Sequence, residues 1–90
     1  MNPFFDEIGV LFVDEAKKRG VTIQTPKLDS KASSALLDLA KVVSHSRERM
    51  FAPLACYLAG IAGANAQAQQ PNFDIAEYVK EIRNALEPKP

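Results

Sequence analysis

His45 is the one histidine and Cys56 the one cysteine among 90 residues. Histidine can act as an acid or base near neutral pH, and a thiolate can act as a nucleophile or metal ligand. Each function needs companions. A metal centre takes several His or Cys ligands at fixed spacing, and here the pair falls on two different helical segments. Ser44 and Ser46 adjoin His45 but point elsewhere on a helix. Glu48, three residues on, can hydrogen-bond the ring, an arrangement that tethers a side chain more readily than it makes a catalyst. We therefore expect no catalytic residue, no metal and no bound cofactor, and no enzyme activity. Cys56 stands in an apolar stretch and reads as a small hydrophobe, since the electropositive surroundings that activate a thiol are missing from the local sequence.

Arg47, Glu48 and Arg49 cluster where a helix should end, followed by Phe51 and Pro53. Arginine at a helix C-terminus meets the dipole favourably. Arginine and aromatic residues are also the types enriched at protein contacts. His45, Glu48, Arg49, Phe51 and Pro53 form the candidate interaction surface. Two arginines are too few for nucleic acid, and the whole chain balances 11 basic against 11 acidic side chains, which removes the counterion-release drive for phosphate binding. Gly60 and Gly63 lie inside a helical run rather than after a strand, so they form no phosphate loop.

Four helical segments must position these residues. The first spans about Pro3 to Arg19, with Asn2 as N-cap, Pro3 at the first position, acids in the first turn, bases in the last and Gly20 as the left-handed C-terminal residue. Its expected buried stripe is Phe5, Ile8, Phe12 and Ala16, with Phe4 and Leu11 beside it. Val21 to Leu28 reads as an ordered loop, extended before Pro26, with Val21, Ile23 and Leu28 plugging the edge of the bundle. The second helix starts at Asp29 or Ser30 and runs to about Arg47, burying Leu36, Leu39, Ala40 and Val43. Pro53 breaks the helical run. The third helix then covers about Ala52 to Ala64. Small residues recur in it at spacings of three and four, and it is apolar on nearly every face, which predicts a central position. Asn65 to Asn72 reads as a loop with a frayed helical start. Asp74 and Glu77 have capping-box spacing and open the fourth helix, whose stripe is Ile75, Tyr78, Val79, Ile82 and Leu86. Pro88 ends it. The aromatic residues fall at helical spacings and read as core, except Phe51 beside the break, which should be partly exposed.

The expected fold is an all-α, compact bundle of four short helices around the small-residue-rich third, forming one domain over residues 1–88 with a tail at 89–90. A lone cysteine and an N-terminus without a basic, apolar leader suggest a reducing cytoplasm. The longest apolar run, Met50 to Ala64, is interrupted by Pro53 and too short for a membrane span. The third segment lacks the polar residues a recognition helix needs to read a DNA groove.

The segment Leu36-Leu37-Asp38-Leu39-Ala40-Lys41-Val42-Val43-Ser44-His45-Ser46-Arg47-Glu48-Arg49, followed by Ala52-Pro53-Leu54 and Tyr57-Leu58-Ala59-Gly60, resembles a small bacterial family of unknown function, mostly actinobacterial. Its short helical domains occur alone or attached to molybdenum-cofactor guanylyltransferases. On the matching positions, the resemblance implies that His45, Glu48, Arg49, Pro53, Leu58 and Gly60 are the characteristic residues. It also implies an accessory or protein-interaction role linked to molybdenum-cofactor biosynthesis or molybdoenzyme maturation. The expected partner is another protein, such as a molybdenum-cofactor enzyme, or a further copy of the chain. A homo-oligomeric structural subunit is the alternative, and a small histidine-dependent enzyme the third reading.

Overall fold

In the computed structural model, which describes residues 2–88, the caps written into the sequence close the helix ends. The first helix, α1, is Pro3–Lys18, and the Asn2 side chain accepts a hydrogen bond from the Phe4 amide at 2.9 Å. Gly20 adopts φ 76°, the left-handed conformation open to glycine at small cost. Helix α2 is Ser30–Ser46, α3 is Phe51–Gln69 and α4 is Ile75–Leu86. Asp74 caps α4, accepting from the Glu77 amide at 3.1 Å. All regular structure among the described residues is helical, so the all-α class and the four helices hold. The expected tail at 89–90 lies outside the described residues.

Helix α3 runs five residues beyond its expected end at Ala64. The Asn65–Gln69 stretch looks loop-like because it is polar and uncharged, yet alanine and glutamine are good helix formers. The helix stops where Gln70, forced away from helical geometry by Pro71, takes φ −134° and ψ 95°. The connection to α4 is fastened by Phe73 N donating to Gln70 O at 2.9 Å, by Gln67 Nε2 donating to Phe73 O at 3.4 Å, and by edge-on packing of the Phe73 and Tyr78 rings.

Packing divides the chain into two compact units, Met1–Ser30 and Lys31–Pro90. In the first, the segment after α1 returns along it and crosses at Gly9, which is buried. A Cβ there would lie 2.9 Å from the Pro26 carbonyl oxygen, so glycine is what permits this approach. Phe5, Ile8, Phe12 and Leu28 border a shallow cavity of about 160 Å³ beside that crossing. The expected apolar stripe of α1 is covered only in part: Ile8 and Ala16 are half-buried, whereas Phe5 and Phe12, with Phe4 and Leu11 beside them, remain exposed. Val21, Ile23 and Leu28 are exposed as well. An extended segment covers a narrower strip of a helix than a second helix would, and this unit contains no other helix to sandwich the phenylalanines.

The second unit is built on one face of α2. Ala35, Leu39 and Val43 are buried there together with Val79 of α4, and Leu36, Ala55, Ala59, Ile75, Ala76 and Leu86 pack around them. The buried centre therefore belongs to α2 and not, as its composition suggested, to α3. The physical reason is that α3 has two apolar sides of different size. Ala55, Cys56, Ala59 and Gly63 are buried or half-buried, whereas Leu54, Tyr57, Leu58 and Ile61 are exposed. At about 100° per residue these two sets occupy opposite sides of the helix. The small side allows close approach: a Cβ on Gly63 would meet three Ile75 side-chain atoms at 3.2–3.4 Å, and Cys56 Sγ lies 3.7 Å from the Leu36 carbonyl.

The two glycines of α3 should respond oppositely to substitution. Nothing lies within 4 Å of a Cβ built on Gly60, so Gly60→Ala should stabilise the protein by about 1 kcal/mol through helix propensity. Gly63→Val drives methyl groups into Ile75 and should destabilise it by about 1–3 kcal/mol. Urea unfolding followed by circular dichroism measures both.

Candidate functional site

The four residues Arg47 to Met50 connect α2 to α3 and carry Glu48 and Arg49 of the candidate surface, with Phe51 and Pro53 in the first turn of α3. Arg47 N donates to Val43 O at 2.9 Å and closes α2. Phe51 N then donates to Glu48 O at 3.0 Å and Ala52 N to Arg49 O at 3.2 Å, leading the backbone into α3. Pro53 is the third residue of α3, where a backbone N–H would find no partner within the helix, so its missing donor costs nothing. The sequence break is thus a clean helix start.

Glu48, Arg49 and Pro53 are exposed. Met50 and Phe51 expose 70% and 43% of their surface, enough to offer apolar area beside the charges. The Arg47 guanidinium is engaged, donating to the Ser46 carbonyl at 3.0 Å. Among the described residues, the Glu48 carboxylate and Arg49 guanidinium have no ion-pair partner.

His45, in the last turn of α2, borders a different feature. It lines a groove of about 400 Å³ with Asp38, Lys41 and Ser46 of α2 and with Arg83 and Glu87 at the end of α4. Glu48, Arg49, Phe51 and Pro53 do not line it. The flanking serines bond the helix backbone instead of facing the imidazole as nucleophiles: Ser46 Oγ donates to Val42 O at 2.6 Å and Ser44 Oγ to Lys41 O at 3.5 Å. Arg83 is held by Glu87 at 2.8 Å and by Asn84 Oδ1 at 2.9 Å.

The groove shares Asp38 and Arg83 with a larger cavity of about 590 Å³ between α2 and α4. Lys31, Lys80 and Arg83 line that cavity together with Asp38, Asp74 and Glu77. Three charges of each sign leave the lining with no net charge. The sequence alone did not reveal this groove. The available signal was the charged side of α4 opposite its apolar stripe, but only the fold sets that side against Asp38 and His45. Among the described residues, no group of three His, Cys, Asp or Glu side chains could hold a metal ion, and no helix is long and apolar enough to cross a membrane.

Cys56 is half-buried on the inner side of α3, with Sγ directed at the Leu36 carbonyl. Burial raises its pKa above the ordinary thiol range, because desolvation penalises the thiolate. The reactive thiolate fraction at pH 8 is therefore smaller than in a free cysteine. Cys56 should react with iodoacetamide several-fold more slowly than a cysteine peptide at pH 8, with the difference lost in urea. Matched rates in native buffer would show that burial exerts no such control.

Against known proteins, the model of a family described as a domain of unknown function, DUF6457, matches residues 8–89. No curated protein and no solved structure matches the chain. The family match takes in all four helices save the first turn and a half of α1, and the chain belongs to the DUF6457 family of domains of unknown function.

Proposed function

We propose that the chain is a non-enzymatic accessory module, bacterial and cytoplasmic, that binds another protein through the turn between α2 and α3. Its service would be to molybdenum-cofactor biosynthesis or molybdoenzyme maturation. The observation that carries this reading is the state of the turn. An exposed arginine and glutamate without ion-pair partners among the described residues stand directly beside exposed Met50 and Phe51. A protein contact desolvates arginine and aromatic side chains together, and such residues supply most interface energy. The resemblance of the Leu36–Gly60 segment to domains attached to molybdenum-cofactor guanylyltransferases supports the choice of partner. His45 is weak as a catalyst because the serines that flank it are bonded to the α2 backbone.

The test is binding to the purified molybdenum-cofactor guanylyltransferase of the same host, measured by calorimetry. Arg49→Glu should weaken that binding about tenfold or more, corresponding to ~1.4 kcal/mol. The thermal midpoint should move by no more than about 3 °C, because Arg49 is a surface residue without a packing role. Unchanged affinity in the variant would place the contact elsewhere, and absence of binding by the native chain would remove the proposed partner.

A further inference from the structure

Helix α3 turns its small side chains inward and its large ones outward, the reverse of an ordinary surface helix. Leu54, Tyr57, Leu58 and Ile61 expose 62%, 70%, 65% and 43% of their surface. They follow the three-and-four spacing that lines one side of a helix. An apolar groove of about 270 Å³ runs beside them, between α3 and α4, with Leu58 on one wall and Tyr78 and Ile82 on the other. We propose that this outer side of α3 is a homodimer interface, closed by the same side of a second copy related by a two-fold axis. The proposal stands apart from the α2–α3 turn and does not rest on it.

Three observations favour a second copy over another occupant. The first is charge. A two-fold interface is self-complementary, and the residues on its axis meet their own copies, so a charge close to the axis faces like charge. From Met50 to Phe73 the chain contains no Asp, Glu, Lys or Arg, and self-apposition meets no such repulsion. The second is sequence symmetry about the Tyr57–Leu58 pair. An antiparallel two-fold there sets Leu54 against Ile61 of the second copy. It also places the Arg47–Arg49 turn towards the uncharged Asn65–Gln70 end, whereas a parallel pair would bring the two arginine turns together. The third is area. The four α3 side chains with Ile82, itself 46% exposed, offer roughly 500 Å² per copy, or about 1,000 Å² across the pair. That is the size at which specific protein interfaces begin, and the groove gives the opposing side chains a recess to enter.

Multi-angle light scattering on the full chain at about 50 µM should give twice the chain mass. Leu54→Glu combined with Tyr57→Glu places four carboxylates in the interface and should weaken association at least about 100-fold, giving a monomer with native helical circular dichroism. Should that variant fail to fold, oxidation of a Tyr57→Cys variant reads the same geometry. The two introduced thiols, close to the axis, should form a covalent dimer in good yield, whereas those of Leu37→Cys, on exposed α2, should not. A monomeric native chain at that concentration overturns the proposal, as does a dimer that survives Leu54→Glu/Tyr57→Glu or one cross-linked equally well through position 37. Arg49→Glu should remain dimeric, which separates a failure here from a failure of the turn as a partner site.

Discussion

The close approach that α3 permits on its small side is the constraint on which the larger unit depends. Ala55, Cys56, Ala59 and Gly63 leave room for the α2 backbone and for Ile75. Glycine and alanine bury little area themselves, so the packing gain goes to the neighbours: Leu39 and Val79 become almost wholly enclosed, at 2% and 1% exposure. Once the small side is committed inward, helical periodicity leaves the leucines, tyrosine and isoleucine no direction but outward. The unusual surface of this protein follows from how its core is closed.

The same constraint explains what could be read in advance and what could not. Helix starts were legible because capping is local chemistry: Asn2 and Asp74 each accept a bond from an amide two or three residues on. The burial pattern of α2 and α4 is largely legible because one apolar stripe faces one polar side, with Ile82 left exposed and Ala35 buried against expectation. In α3 both sides are apolar, so periodicity carries no direction, and the rule that such a helix is central gave the wrong centre. What separates its sides is side-chain volume: the small residues at three-and-four spacing mark the side that packs closely, but they do not say that the large side stays open. The Asn65–Gln69 stretch suggests a loop for a related reason: it is polar, but its helix propensity decides the outcome. In α1 the stripe was correctly periodic, but periodicity states which side is apolar and not whether anything covers it. Gly9, the residue through which Pro26 makes its approach, carries no sequence mark at all.

The candidate surface was legible in its parts and not in its grouping. Glu48, Arg49, Phe51 and Pro53 stay together because they are neighbours in one turn and the helix start after it. His45 belongs to the same sequence cluster, yet its place on the last turn of α2 brings it to Arg83 and Glu87, residues roughly forty positions away in the chain. Only the packing of α4 beside α2 makes that pairing. The groove so formed and the cavity it joins are electrically balanced, like the chain, but for a different reason. Their walls interleave opposite charges, whereas α3 is neutral because it holds none.

That difference bears on what each surface can recognise. A wall of alternating charges discriminates by position: a ligand must match the pattern or leave charges unpaired, and screening by salt weakens the match. An uncharged apolar face discriminates by shape and area, gains from burial without a large electrostatic desolvation cost, and is insensitive to modest salt. A surface of the second kind left open on a small domain favours association, because the core of the unit is held by so few enclosed side chains. Covering the outer side of α3 would add apolar burial to the helix whose inner side already sets the packing. The recognition surface and the fold are therefore not separable here: the large side chains stand exposed on α3 as a consequence of the small ones that fasten it in place.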